Sequence, residues 1–295
     1  MNKINIKIKV LAVAISLGAF ISCEQQENDF ETDSKIIKEV ELLGKRGEET
    51  NCTPGKSNFN TRNVDISNPA NTGTVDDRTC HQDYYELTKF GKIYGNYRIA
   101  ENSNHWDTNT LQPRIERSYP RANSKIGSKF TFKGKFIIER VGTTGNFNTE
   151  GTYIAQTKGK YNAEGSSPGS GDKDPAICLY LAKKGAKVNG VQTFDIYAER
   201  IKKVRSTNGS GREVVKLTTV NKGEENDFEV RMGFRIVNGE KQHYCNVFIN
   251  GTPYYWNVPQ PNRGTQSGFR YGAYRCKGGS AHIRWADTKY TRINK

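Results

Sequence analysis

The sequence predicts an all-β protein, a single β-jelly-roll built as a concanavalin-like sandwich of two antiparallel sheets, and three observations predict it. From about Asn51 onward no long helical pattern occurs. In its place stand many short runs in which apolar and polar residues alternate, the two-residue period of a half-buried strand. Tight-turn dipeptides, Asn238-Gly239 and Asn250-Gly251, separate some of these runs, as in a meander of antiparallel hairpins. Strands at this spacing over this length make one sandwich rather than two domains.

The segment before Asn51 belongs to export. Lys3, Lys7 and Lys9 form a positive leader, Val10 to Ser22 an apolar run too short to span a bilayer, and Cys23 follows Ala19-Phe20-Ile21-Ser22. Residues 1–22 therefore read as a signal peptide. The Cys after them resembles a bacterial lipoprotein cleavage site, which makes Cys23 the expected lipidated residue, with plain secretion as the alternative. Residues 23–50 read as a tether: Glu24 to Ser34 is too polar to bury a core, and Ile36, Ile37, Val40 and Leu43 recur at the spacing of one short packing helix. The acidic stretch after Cys23 resembles the surface-export signal of Bacteroidetes lipoproteins.

Residues 51–295 are the expected sandwich. Its strand-like runs are Lys129 to Ile138, Gly151 to Thr157, Ala176 to Ala182, Thr193 to Glu199, Val214 to Val220, Phe228 to Val237, Gln242 to Ile249 and Ser280 to Trp285. Ala163 to Asp174 and Ser206 to Gly211 read as loops at the rim of a groove, where a lid would sit. Lys183, Lys184 and Lys187 read as a surface loop cluster.

Five cysteines follow Cys23. Cys52 and Cys80 lie in a region rich in Gly, Pro, Asn and Asp with no strong apolar pattern, and in an oxidising compartment they are the expected disulfide. Cys178, inside Ala176-Ile177-Cys178-Leu179-Tyr180, reads as a small buried hydrophobe. No Cys-x-x-Cys pair or His/Cys cluster points to zinc. Asp76-Asp77 and Asp172 with Asp174 are acid pairs that could hold a structural calcium ion or stand solvated in loops.

The formal net charge is +14, and removal of residues 1–22, which hold three Lys and no acid, leaves +11. So basic an exported protein implies a polyanionic partner, because its summed field concentrates opposite charge. Export favours an acidic polysaccharide over nucleic acid.

Two distant runs present polar residues where a core face is expected. In Phe269-Arg270-Tyr271-Gly272-Ala273-Tyr274-Arg275, strand alternation puts Arg270 and Tyr274 on one face. In Ile154-Ala155-Gln156-Thr157-Lys158-Gly159 it does the same for Gln156 and Lys158. Together these side chains suit gripping a carboxylate and moving a proton beside it.

The first run resembles the C-terminal Phe-Lys-Ala-Gly-Val-Tyr-Asn signature of jelly-roll alginate lyases, with Arg270 in place of the Lys and Tyr274 at the catalytic Tyr. The second resembles that family's Ile-Gly-Gln-Ile-His-Gly strand, with Gln156 at the Gln and Lys158 at the His. Arg114-Ile115-Glu116-Arg117 resembles the start of its Arg-Ser-Glu-Leu-Arg strand. The departures, Lys158 for His, Arg270 for Lys and Arg275 for the Asn after the Tyr, make the groove more cationic. The chain looks most like the ulvan lyases of Bacteroidetes, whose substrate is a sulfated polymer of rhamnose and uronic acid from green algae.

What the resemblance implies is an endo-acting polysaccharide lyase that removes the C5 proton of a uronate and expels the C4 oxygen. The carboxylate must be neutralised for that proton to leave, a task for Gln156 with Arg114 or Arg117 in the manner of an oxyanion hole. Tyr274 is the first choice of base, since nearby cations favour a phenolate. Lys158 is the second, with Tyr274 then protonating the leaving oxygen, and one Tyr could perform both steps. Arg270 and Arg275 are expected to bind substrate. So are Arg231 and Arg235, which share a strand face and are placed for sulfate, or form a solvated outer face. His105, beside Trp106 in a polar loop, is the histidine placed to touch sugar, while His81, His243 and His282 show no ligand spacing.

Other prominent residues have plainer readings. Tyr271 and Tyr161 are expected to pack in strands, Trp285 to fill the core, and Glu116 to organise Arg114 or Arg117. Trp106, Tyr254, Tyr255 and Trp256 could stack against sugar rings or pack inside. No cofactor is expected for the reaction. The expected partners are the anionic algal polysaccharide and, through a lipid anchor, the outer membrane, with no nucleic acid and a monomeric chain. The rival readings are an alginate or glucuronan lyase of the same mechanism, and a surface glycan-binding lipoprotein that has no need of Tyr274 paired with Lys158 and Gln156.

Overall fold

A computed structural model describes residues 60–63, 74–77, 84–99, 114–142, 150–162, 176–204, 211–274 and 280–295, with side chains from residue 86 onward. The chain divides into two units, 1–46 and 47–295, and the described residues all belong to the second. The expected signal peptide, Cys23, the tether and its helix, Cys52, Cys80 and the rim loop at Ala163 to Asp174 lie outside the described residues, as does most of the loop at Ser206 to Gly211.

Among the described residues seventeen strands, numbered in chain order, make two antiparallel sheets. Sheet A holds β1 (Asn60–Asn63), β2 (Thr74–Asp77), β5 (Arg114–Ser118), β6 (Ala122–Asn123), β8 (Thr152–Tyr161), β9 (Ala176–Val188), β10 (Val191–Ile201), β11 (Arg212–Asn221) and β16 (Gly264–Tyr274). Its order is β1-β2-β5-β16-β8-β9-β10-β11, with β6 also beside β16. Sheet B holds β3 (Tyr84–Lys89), β4 (Lys92–Ile99), β7 (Lys129–Arg140), β12 (Asn226–Val237), β13 (Glu240–Ile249), β14 (Thr252–Tyr254), β15 (Asn257–Val258) and β17 (Ala281–Ile293). Its order is β14-β13-β12-β7-β17-β4-β3, with β15 against β13. The only helical element among the described residues is a 3-10 turn at Pro261–Arg263.

The sandwich is the jelly roll expected, and alternation explains why its sheets pack. Along β12, Phe228, Val230, Met232 and Phe234 are buried while Arg231 and Arg235 face out. Along β16, Phe269, Tyr271 and Ala273 are buried in the same way. The centre is aromatic: Phe132 lies 4.3 Å from Phe269, and Trp285 meets Phe228 edge-on at 5.5 Å and Tyr271 at 5.2 Å between ring centroids. Tilted and edge-on contacts of this kind suit the ring quadrupoles. Trp285, Tyr271, Tyr161 and Cys178 are all buried.

Both Asn-Gly dipeptides make the turns expected of them. Asn238 and Gly239 have φ of 51° and 80°, Asn250 and Gly251 49° and 78°, so both central residues are left-handed as a type I′ hairpin requires. Lys183, Lys184 and Lys187 stand on β9, which runs on to a turn at Asn189-Gly190, and not in a loop. The β3–β4 hairpin has no counterpart in the sequence reading, because its turn is Phe90-Gly91, with Phe90 at φ 52°.

The arrangement that matters for function is the place of β16. This strand, next to last in the chain, inserts between β5 and β8, so three segments far apart in sequence become neighbours.

Candidate active site

The three strands are in register where their polar residues lie. Arg270 pairs with Ser118 on one side and Gln156 on the other, Gly272 with Glu116, and Tyr274 with Arg114 and Tyr153. Lys158 pairs with Gly268. Arg114, Glu116, Gln156, Lys158, Arg270 and Tyr274 therefore share the outer face of sheet A, opposite the core-facing Ile115, Thr157, Phe269 and Tyr271.

At the centre of this floor is a carboxylate. Glu116 is 1% exposed and accepts from Gln156 Nε2 at 2.6 and 2.9 Å, while Arg114 Nη1 and Arg270 Nη1 approach it at 3.5 and 3.8 Å. A buried carboxylate needs such partners, since an unpaired one costs several kcal/mol, on the order of 3–5. The contact also orients Gln156: only its NH2 end can face a carboxylate, so that donor is turned to Glu116 and not outward as expected for a direct grip on substrate. Glu116 organises Arg114, as expected, and with it Gln156 and Arg270.

Tyr274 is held through its ring. The Arg114 guanidinium lies 4.1 Å from its ring centroid, and the Tyr153 ring lies 5.5 Å away at 38°. Tyr153 is itself buried and fixed from behind. Its hydroxyl donates to Glu199 Oε2 at 2.5 Å, Arg212 Nε lies 3.6 Å from Glu199 Oε1, and Arg212 Nη2 donates to the Ala176 carbonyl at 2.7 Å. Tyr153, Leu179 and Leu181 form an apolar cluster separate from the main core, and Tyr274 and Tyr197 pack against it. Tyr274, Lys158 and Arg270 remain partly exposed above buried Glu116, Gln156 and Arg114. In register, Lys158 lies to one side of the Gln156–Arg270 pair and Tyr274 to the other, so a carboxylate over that pair has an amine and a phenol flanking it.

Local backbone geometry makes this possible. Gly272 has φ +141°, and a Cβ there would stand 2.2 Å from the Ile115 carbonyl oxygen, so β5 and β16 approach this closely only with glycine. In β8 a bulge against β9 places Ile154 and Ala155 consecutively in the core. The extra residue returns Tyr153 to the same face as Gln156, which strict alternation denies it.

Several expected site residues stand elsewhere. Arg117 is 0% exposed on the core side of β5, where its Nε donates to the Tyr97 hydroxyl at 3.2 Å. Alternation from Arg114 dictates this, so Arg117 is not on the floor. Arg231 and Arg235 lie on the outer face of sheet B. Tyr254 donates to the Leu217 carbonyl at 2.6 Å and Trp256 packs on the main core beneath Arg200, whereas Tyr255 is 69% exposed. His243 is a core residue, bonded through Nε2 to Ser267 at 2.9 Å and stacked on Phe234. His105, Trp106, Arg275 and the acids Asp172 and Asp174 lie outside the described residues. Among the described residues no three His, Cys, Asp or Glu side chains gather in a metal-ligating group. Sequence reasoning missed Tyr153, Glu199 and Arg212; the one available signal was an aromatic on a strand already marked by Gln156 and Lys158.

Comparison with known proteins bears on this geometry. Residues 27–294 match the family model of the PL28 ulvan lyases. The chain is 48% identical over 252 residues to an endo-acting ulvan lyase of Formosa agariphila, covering 83% of this chain and 47% of that protein. It is also 48% identical over 246 residues to ulvan lyase NLR42 of Nonlabens ulvanivorans, covering 80% and 45% respectively. The chain thus spans about half the length of the curated relatives it matches. Among solved structures, the marine PL7 alginate lyase AlyA1 from Zobellia galactanivorans is similar in fold, with a TM-score of 0.51 at 13% identity over 78% of this chain and 86% of that one.

Proposed function

Because this chain belongs to the PL28 ulvan lyase family, we propose that it is an exported, endo-acting lyase that cleaves ulvan by β-elimination and is anchored at the cell surface through Cys23. The observation that carries the reading is the outer face of sheet A, where Tyr274 lies against Arg114 beside the Glu116-centred group of Gln156 and Arg270.

The uronate carboxylate sits over the Gln156–Arg270 pair, where Arg270 and Arg114 neutralise it and stabilise the enolate-like charge that grows as the C5 proton leaves. Tyr274, as phenolate, takes that proton, and the Arg114 contact supports this assignment because a cation at the ring favours the charged form. The C5–H electrons form the C4–C5 double bond, the C4–O bond breaks, and the leaving oxygen takes up the proton from Tyr274. The products are an unsaturated uronate end and a free hydroxyl on the departing sugar, with no cofactor in any step. Lys158, on the far side of the carboxylate, adds positive charge for a sulfated chain and is the alternative base.

The test is ultraviolet absorbance of protein mixed with ulvan, alginate or glucuronan, beside Tyr274→Phe and Lys158→Arg variants. Rising absorbance on ulvan, lowered about 10³-fold in Tyr274→Phe and much less in Lys158→Arg, is expected. A larger loss in Lys158→Arg than in Tyr274→Phe moves the base to Lys158. Absorbance on alginate or glucuronan alone replaces the substrate, and binding without absorbance on any polymer leaves a glycan-binding protein.

A further inference from the structure

We infer that the outer face of sheet B carries a second binding surface for anionic polysaccharide, separate from the lyase floor on sheet A; the choice of ligand rests on the reading above. The surface is built from a repeated pair. Arg231 on β12 lies with its guanidinium 4.6 Å from the Phe248 ring of β13, and Arg235, four residues on, lies 4.8 Å from the Tyr244 ring. Both pairs have the same diagonal geometry. Arg231 is in register with Asn246 and Arg235 with Gln242, and each arginine reaches the aromatic two residues beyond that partner.

In each pair the arginine uses Nε internally. Arg231 Nε donates to Glu229 Oε1 at 2.5 Å and Arg235 Nε to Gln242 Oε1 at 2.6 Å. Their terminal nitrogens have no hydrogen-bond partner among the described residues, and both side chains are exposed. A guanidinium laid on a ring and tied at Nε has lost most of its rotamer freedom before any ligand arrives, and its free edge presents N–H groups in the fork that matches sulfate and carboxylate oxygens. Four residues of strand place the two forks roughly 13 Å apart along one line, a layout for successive charges on an extended polymer.

The surroundings have the same sign. Exposed Lys133 and Lys129 on β7 stand in register with Glu229 and Gly233, and Glu229 is already shared by Arg231 and Lys133, the latter at 3.1 Å. At the edge of the patch Tyr255, 69% exposed, meets Phe248 edge-on at 6.2 Å and leaves a ring face open to a sugar. Cations joined to aromatic platforms, facing away from the floor, suit a polymer held at a second point while another stretch of it occupies the groove.

The test uses the full chain in a Tyr274→Phe background, so that ulvan stays intact, and measures retention by ulvan in gel electrophoresis and its dependence on salt, with neutral dextran as control. Arg231→Glu/Arg235→Glu is expected to weaken ulvan binding about tenfold and to lower the salt slope by about two, with the thermal midpoint unchanged. Arg231→Lys/Arg235→Lys, which keeps the charge and removes the fork, is expected to lose about threefold. Unchanged affinity and salt slope in the charge-reversed variant overturns the inference, and so does an equal loss of dextran binding. The two readings fail separately: absent lyase activity with intact Arg-dependent binding removes the reaction and keeps this surface, while activity with unaltered binding in the variant removes the surface and keeps the reaction.

Discussion

The two outer faces of the sandwich both carry arginines, acids and aromatic rings, yet they are built in opposite ways. On sheet A the acid is underneath: Glu116 is 1% exposed, Gln156 2%, and the groups above them are held by that buried carboxylate. On sheet B the acid is Glu229, partly exposed, and its partners Arg231 and Lys133 are both half in solvent. A buried acid costs stability unless fully partnered and so fixes its partners in one geometry, whereas exposed pairs are screened and loose. The first arrangement suits chemistry that tolerates little displacement, the second suits holding a long polymer.

Exchanging the acids breaks this contrast most directly. Glu116→Ala is expected to lower unfolding stability by about 3 kcal/mol, because it strands Arg114 and Arg270 over a buried hole, and to lower kcat/KM about 10²-fold or more. Glu229→Ala is expected to cost less than about 1 kcal/mol and to leave turnover unaltered. Denaturant unfolding of both, with initial rates on ulvan, decides whether burial separates the faces.

Two arginines three residues apart sharpen the same point within one strand. Arg114 touches Tyr274 on the floor and Arg117 bonds Tyr97 in the core. Arg117→Ala should reduce stability by about 2–3 kcal/mol with modest loss of kcat in the folded fraction, and Arg114→Ala should reduce kcat about 10²-fold. Equal losses in both measurements would abolish the distinction between faces.

His243 shows what burial does without a nearby acid. Desolvation, with the charge of Lys241 beside it, holds its imidazole down to about 3, while in the unfolded chain it titrates near 6.5. The unfolded state therefore binds the extra proton between those values. The His243 contribution is fully present above about pH 6.5 and is lost as pH falls toward 3, on the order of 2 kcal/mol between pH 7 and 5. Thermal midpoints measured across that window should fall with acidity, and His243→Gln should flatten the slope.

The smallest effect tests the support behind Tyr274. Tyr153→Leu, which removes the neighbouring ring, should lower kcat about tenfold with KM little changed, and Tyr153→Phe, which keeps the ring and loses the bond to Glu199, should lower it two- to threefold. A rise in KM with kcat intact would make Tyr153 part of the binding surface instead of a positioning residue.

Much of this was legible because strand alternation is a local rule. The runs from Lys129 to Trp285 that alternate in sequence are strands in the sandwich, the two Asn-Gly dipeptides are its I′ turns, and Arg270 with Tyr274 and Gln156 with Lys158 share the face that period two assigns them. The β3–β4 hairpin escaped because nothing about Phe90-Gly91 advertises a left-handed turn. Arg117 was misplaced by being taken with Arg114, although three residues along a strand changes the face.

The remainder needed neighbours. Strand order is a non-local choice made by burial, so no pattern within residues 264–274 states that β16 will enter between β5 and β8 and bring Tyr274 beside Arg114. The bulge at Ile154 and Ala155 is invisible as sequence, since it exists only against β9, yet it turns Tyr153 to the floor. Residue types and their alternation determined which side chains could carry chemistry and that they would lie on a sheet. Tertiary structure decided which of them meet, because register, bulges and the burial of Glu116 arise only when separate strands compete for one surface.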